Sequence, residues 1–190
     1  MRARTVVLLA LAGLALAAGC GAPLGLPRAS YENKVKTVSL YALSGTPVSF
    51  PSAYSLQFDQ PVRPDQTTSL DFAFDIDSAG VAKLLPTGAL RLGRASGIQL
   101  TTMLFDSIKV APTSRYQRDS AVVVDSNTVA ILHSIPSQCS FGLPNQVYYA
   151  KLHVLAIDTT SGPNGRRIDF EILTDINCGY RGLAPGVPKI

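Results

Sequence analysis

The chain predicts an all-β fold, an antiparallel β-sandwich that is immunoglobulin-like in the broad sense. Three observations carry this. Apolar and polar residues alternate with a period of two in Leu70–Asp77 and again in Arg167–Ile172, the mark of strands with one buried and one wet face. About eight such segments are spaced along the chain and separated by Gly, Pro and Asn turns, the pattern of a two-sheet fold. Only one stretch, residues 102–109, shows a helical spacing. A partly closed β-barrel is the alternative, since periodicity does not separate the two. The absence of Trp excludes a true antibody-type domain.

The first element is an export signal. Arg2 and Arg4 precede an uncharged apolar run, Val6–Ala18. At about 13 residues it is shorter than the ~20 a spanning helix needs, and it has the layout of a signal peptide over residues 1–19. The run ends in Leu16-Ala17-Ala18-Gly19-Cys20, which resembles the lipobox of bacterial lipoproteins. The third residue before the cysteine is Ala17, where that family usually has Leu. The resemblance implies a diacylglycerol thioether on Cys20, palmitate-type acyl chains, a mature chain beginning there, and a membrane-anchored place in the bacterial cell envelope. Cleavage at the small-residue pattern Ala15-Leu16-Ala17 is the alternative, and would give a freely secreted protein. Residues 20–34, rich in Pro and Gly, read as a flexible lipid-anchored spacer, and residues 35–190 as a single domain.

Within the domain, strands are expected at 35–43, 54–59, 70–77, 80–85, 120–125, 128–133, 147–158 and 167–172. Asp77-Ser78-Ala79-Gly80 supplies a turn into Val81–Leu85, and Asp125-Ser126-Asn127 suggests a tight hairpin between Ala121–Val124 and Thr128–Leu132. Ser161–Gly165 lies between two long strands, so 147–175 reads as a long antiparallel hairpin. Leu104 and Ile108 stand four apart, with Thr101 or Thr102 able to cap and Pro112 beyond, so a short helix is expected near 102–109.

Without the signal, 171 residues remain, with 15 basic and 13 acidic side chains. That is enough chain for one core, and a balance too even for a nucleic-acid-binding face. Cys139 and Cys178 are the remaining cysteines. In an exported chain such a pair reads as one disulfide; closing a loop of roughly 40 residues contributes about 4 kcal/mol in the chain-entropy view.

The search for chemistry is mostly exclusionary. His133 and His153 are the two histidines, and both read as ordinary strand residues. No GxSxG elbow accompanies them; Gly93–Gly97 reads as a turn. No HExxH or CxxC cluster points to zinc. Asp75–Gly80 starts like a calcium loop but has Ala79 and Pro86 where ligands belong, so Asp71, Asp75 and Asp77 are only weak metal candidates, read as the wet face of a strand. Tyr149 and Tyr180 are weak ligand-binding candidates, because one of the adjacent Tyr148 and Tyr149 must face away from the core. No cofactor is indicated. The expectation is a non-enzymatic envelope lipoprotein that meets the membrane through Cys20 and binds another envelope protein. A surface-displayed small-ligand or glycan-binding module is the alternative.

Overall fold

The computed structural model describes residues 26–93, 95–137, 145–162 and 164–189. The segment expected to be a signal peptide, Cys20 and Cys139 lie outside them. Among the described residues there are ten strands: β1 (Val35–Tyr41), β2 (Ala53–Ser55), β3 (Gln60–Val62), β4 (Phe72–Ile76), β5 (Ala82–Pro86), β6 (Gly97–Thr101), β7 (Val122–Val123), β8 (Val129–His133), β9 (Tyr149–Asp158) and β10 (Arg167–Asp175). They form two antiparallel five-stranded sheets, ordered β1-β10-β9-β8-β6 and β3-β2-β4-β5-β7. Neither sheet closes on itself, so the fold is a β-sandwich and not a barrel.

The inward faces follow the alternation. Leu40, Ala130, Leu132, Ala150, Leu152, Val154, Ile168, Phe170 and Ile172 of the first sheet meet Tyr54, Phe72, Phe74, Ile76 and Leu84 of the second in one core. Tyr54 stacks on Phe72 at 5.7 Å, and both rings meet Phe170 of the facing sheet at 6.2 Å. This aromatic triad joins the sheets at their centre, and such pairs add about 0.5–1.5 kcal/mol beyond the area they bury. The long hairpin is present, Phe170 pairing with Val154 and Arg167 with Asp158, with a bulge at Asp169/Phe170.

The hairpin expected around Asp125-Ser126-Asn127 is not one. β7 pairs with β5 in the second sheet, whereas β8 lies between β6 and β9 in the first. The turn itself is present: Asn127 has φ 73 and the Thr128 N–H donates to the Asp125 carbonyl. The chain crosses between sheets there, since the Val124 N–H still bonds Ala82 and the Asn127 N–H already bonds Val154. Val122 and Val124 thereby face Ala130 and Leu132 across the core instead of lying beside them.

The helix expected at 102–109 shrinks to a single 3-10 turn, Phe105–Ser107. The stretch is too short to hold an α-helix by itself, and the backbone is already extended at Ile108 (φ -79, ψ 107), which ends the turn. The Lys151 ammonium takes the Phe105 and Ile108 carbonyls, at 2.9 and 3.1 Å. Two strands escaped the sequence reading, β3 and β6; β6 follows directly on the Gly93–Gly97 turn.

Part of the outward face of the first sheet is covered. Ile131 and Leu173 are covered by Phe105, Ile108, Ala111 and Leu183 in a second core. A smaller third cluster, Ala53, Val62, Leu70 and Ala73, lies on the outside of the second sheet. Loops 102–116 and 176–189 therefore add a layer to the sandwich.

The spacer expected up to Lys34 is also corrected. From Leu26 onward the chain is bound to the domain. The Tyr180 hydroxyl donates to the Pro27 carbonyl and accepts from the Ala29 N–H, and the Asn177 amide oxygen accepts from Ser30 and Tyr31. Asn33 exchanges backbone bonds with Gly186 and donates from its side chain to Gly182. Composition suggested a free segment because these partners lie about 150 residues away in sequence.

Candidate functional site at the pole of the N-terminal strap

The docked strap 26–34 gathers much of the polar chemistry of the molecule at one pole. The start of β1, the end of β10, the start of β9 and the end of β8 meet there by register: Val35 opposes Leu173, and Tyr149 opposes both Asp175 and His133. Two depressions open on this pole.

The larger, about 640 Å³, is lined by Arg28, Tyr31, Phe58, Tyr148 and Cys178 among others. Tyr31 is 57% exposed and Phe58 55%. Phe58 comes from the β2–β3 turn, where Asp59 adopts φ 51 and takes a bond from the buried Tyr54 hydroxyl and an ion pair from Lys36. Burial first, and Asp59's charge second, push the Tyr54 phenol well above its ordinary pKa, so it stays a donor. The turn is thus pinned from below and from β1.

The smaller depression, about 240 Å³, holds His133, Tyr116, Arg118, Asn145 and Tyr149. His133 is buried. Its Nδ1 donates to the Ser134 carbonyl at 2.8 Å, and its Nε2 has no hydrogen-bond partner among the described residues. The Tyr116 ring stands edge-on to it at 4.6 Å. Burial, reinforced by Arg118, holds the imidazole below its usual pKa against the pull of the Ser134 carbonyl. Neutral imidazole is the form the site accommodates.

Between the depressions lie two buried acids. Asp71, expected on a wet strand face, is buried: its carboxylate accepts from the Leu56 N–H at 2.6 Å and the Ile135 N–H at 2.8 Å. It ties the second sheet to the loop leaving β8. Asp175 is fully buried and accepts from the backbone and side chain of Asn177 at 2.9 Å. Burial raises the pKa of both carboxyls, partly offset by those N–H donors.

The other sequence candidates separate. Asp75 takes the backbone and hydroxyl of Ser44, and Asp77 caps its own turn through Ala79 and Val81 while pairing with Lys83 at 2.6 Å. With Asp71 turned to Leu56 and Ile135, the three carboxylates do not converge. No grouping of three or more His, Cys, Asp or Glu able to hold a metal occurs among the described residues. Tyr180 is buried under the strap, where its hydroxyl donates to the Pro27 carbonyl, and it also lines the larger depression. Tyr149 packs on the outer core and lines the smaller depression. His153 stands on the outer sheet face, its Nδ1 2.7 Å from Glu171 across the β9–β10 pair. Cys178 is disulfide-bonded; its pairing with Cys139 lies outside the described residues.

Sequence reasoning missed the burial of Asp71 and the gathering of Asp175, Asn177 and Asn33. Their only local signal is a polar residue inside an apolar run, as in Leu70-Asp71-Phe72. Comparison with protein families and with curated proteins finds no match.

Proposed function

We propose that this chain is an exported, non-enzymatic lipoprotein of the bacterial cell envelope, tethered through Cys20, whose β-sandwich binds another envelope protein. The observation that carries the reading is the apolar run closed by Ala18-Gly19-Cys20. The domain supports it in two ways. Each histidine is held by a structural partner: His133 Nδ1 donates to the Ser134 carbonyl, and His153 Nδ1 lies against Glu171. Around the 3-10 turn, Met103, Leu104 and Val110 present exposed apolar side chains, Leu104 at 76%, the kind of surface that protein contacts use. The larger aromatic depression favours the second reading, a small-ligand or glycan-binding module on the same tether, because Tyr31 and Phe58 offer exposed ring faces.

The test is the intact mass of the protein from bacterial membranes, before and after reduction. A chain beginning at Cys20 with added acyl mass, gaining two hydrogens on reduction, supports the tether and the proposed Cys139–Cys178 bridge. An unacylated chain cut near Ala17 overturns the envelope assignment. Crosslinking in intact cells then separates the two readings: a protein adduct reduced by Leu104→Glu supports the first, and its absence favours the ligand module.

A further inference from the structure

We infer that the pole carrying the N-terminal strap lies directly against the lipid bilayer, with Arg28, Tyr31 and Phe58 as its interfacial contacts. The inference rests on the Cys20 anchor proposed above and goes beyond it, because the sequence reading had the domain lifted off the membrane by a spacer to Lys34.

The argument begins with reach. The chain is bound to the domain from Leu26, whose side chain is buried, and the Ala29 N–H is already held by Tyr180. Six residue steps separate Cys20 from Leu26, a span of at most about 20 Å even when fully extended. The seven residues of β1 alone rise about 23 Å along the sandwich. The tether is therefore no longer than the domain is tall. The pole of Leu26 stays within reach of the membrane surface, and the opposite pole, beyond Tyr41, is held away when the sandwich stands on its strap.

The chemistry of the near pole fits that neighbour. Tyr31 and Phe58 flank one depression and are both more than half exposed. Aromatic side chains with an apolar body settle at the boundary between headgroups and hydrocarbon, Tyr best of all because its hydroxyl stays wet. Arg28 lines the same depression, is exposed, and has no ion-pair partner among the described residues. Its neighbours Lys34 and Lys36 are already paired with Glu32 and Asp59. A guanidinium without an ion-pair partner among the described residues, lining the same depression as two exposed aromatic residues, suits a lipid phosphate.

The absence of Trp makes the test clean, since a single introduced Trp is the only indole in the protein. Full-length acylated protein carrying Tyr31→Trp, Phe58→Trp or Val48→Trp is reconstituted into phosphatidylcholine–phosphatidylglycerol vesicles, with acyl chains either brominated or not. Val48 is exposed in the loop after Tyr41, at the far pole. The expected result is a loss of fluorescence in brominated vesicles for positions 31 and 58 and none for position 48. Adding Arg28→Glu to the Tyr31→Trp protein weakens that quenching in vesicles containing phosphatidylglycerol. Equal quenching at all three positions, or none at any, in protein whose mass shows the acyl group overturns the apposition and leaves the anchor standing. Protein that reaches membranes without acyl mass overturns the anchor itself, and the apposition with it.

Discussion

Gly97 and His133 oppose each other at the end of the β6–β8 pair, so closely that a Cβ on residue 97 would overlap the imidazole Nε2 and the Tyr116 Cβ. The glycine is there for space, and its backbone is ordinary β. It lets a buried aromatic ring lie flat over the edge strand, and so closes the floor of the smaller depression.

Gly97→Ala is therefore expected to destabilise the fold by about 1–3 kcal/mol, the usual cost of forcing a methyl group into a filled site. Urea unfolding measures it. In a His133→Ala background the same substitution should cost markedly less, because the ring it strikes is gone. Equal costs in both backgrounds would place the strain on Tyr116 instead.

The same histidine sets a pH dependence. Its folded pKa lies below the ordinary value of 6.5 because burial and Arg118 disfavour the cation. The unfolded chain then binds the proton first, so this group's contribution is complete above about pH 6.5 and is lost as pH falls through that value toward the folded pKa. Asp71 and Asp175 act in the opposite sense. Their folded pKa values are raised from 3.8, so what they contribute is present in strong acid and lost as pH rises. His133→Asn keeps an N–H for the Ser134 carbonyl and removes the titration. Between about pH 7 and 5 the urea midpoint of the wild type should decline relative to that of the variant, which keeps both carboxyls and lacks the imidazole.

Asp71→Asn tests the tie between sheet and loop. Both carboxylate oxygens accept a backbone N–H, from Leu56 and Ile135. An amide has one accepting end only, so one N–H is left facing an NH2 group. A loss of about 2 kcal/mol is expected in urea unfolding at pH 7, with faster hydrogen exchange at Leu56 or Ile135.

Asp71 also shows where the sequence was legible and where it was not. Period-two alternation in Leu70–Asp77 located β4 and its hairpin to β5, because each strand's own residues decide which face is apolar. The same rule put Asp71 in water. What buries it is the loop after β8, more than sixty residues on, and no local pattern reports that. The turn at Asp125–Asn127 is similar: its chemistry was readable, but the sheet on which Val129–His133 would land depended on β6 and β9. At the candidate site, Cys178 and His133 stood out by type. Tyr180 and Asn177 did not, since their work is to bind a strap that composition alone describes as free.

Lys151 extends that lesson to the outer layer. In Tyr149-Lys151-His153 it belongs to the polar side of β9, yet it is 1% exposed. Its ammonium lies 4.4 Å from the centre of the Phe105 ring and donates to the Phe105 and Ile108 carbonyls. Burial, helped by Lys109's charge, lowers its pKa, but two carbonyls and a ring face replace much of the lost water. Those carbonyls belong to the first residue and the C-cap of the 3-10 turn, which the exposed Leu104 precedes. Lys151→Met keeps the length of the side chain and removes the donor, leaving both oxygens without it. The expected cost is about 2 kcal/mol. Its distribution is the sharper test: hydrogen exchange should quicken through residues 102–111 while β9 and β10 keep their protection. A uniform loss across the sandwich would mean that Lys151 supports the main core and not the layer above it.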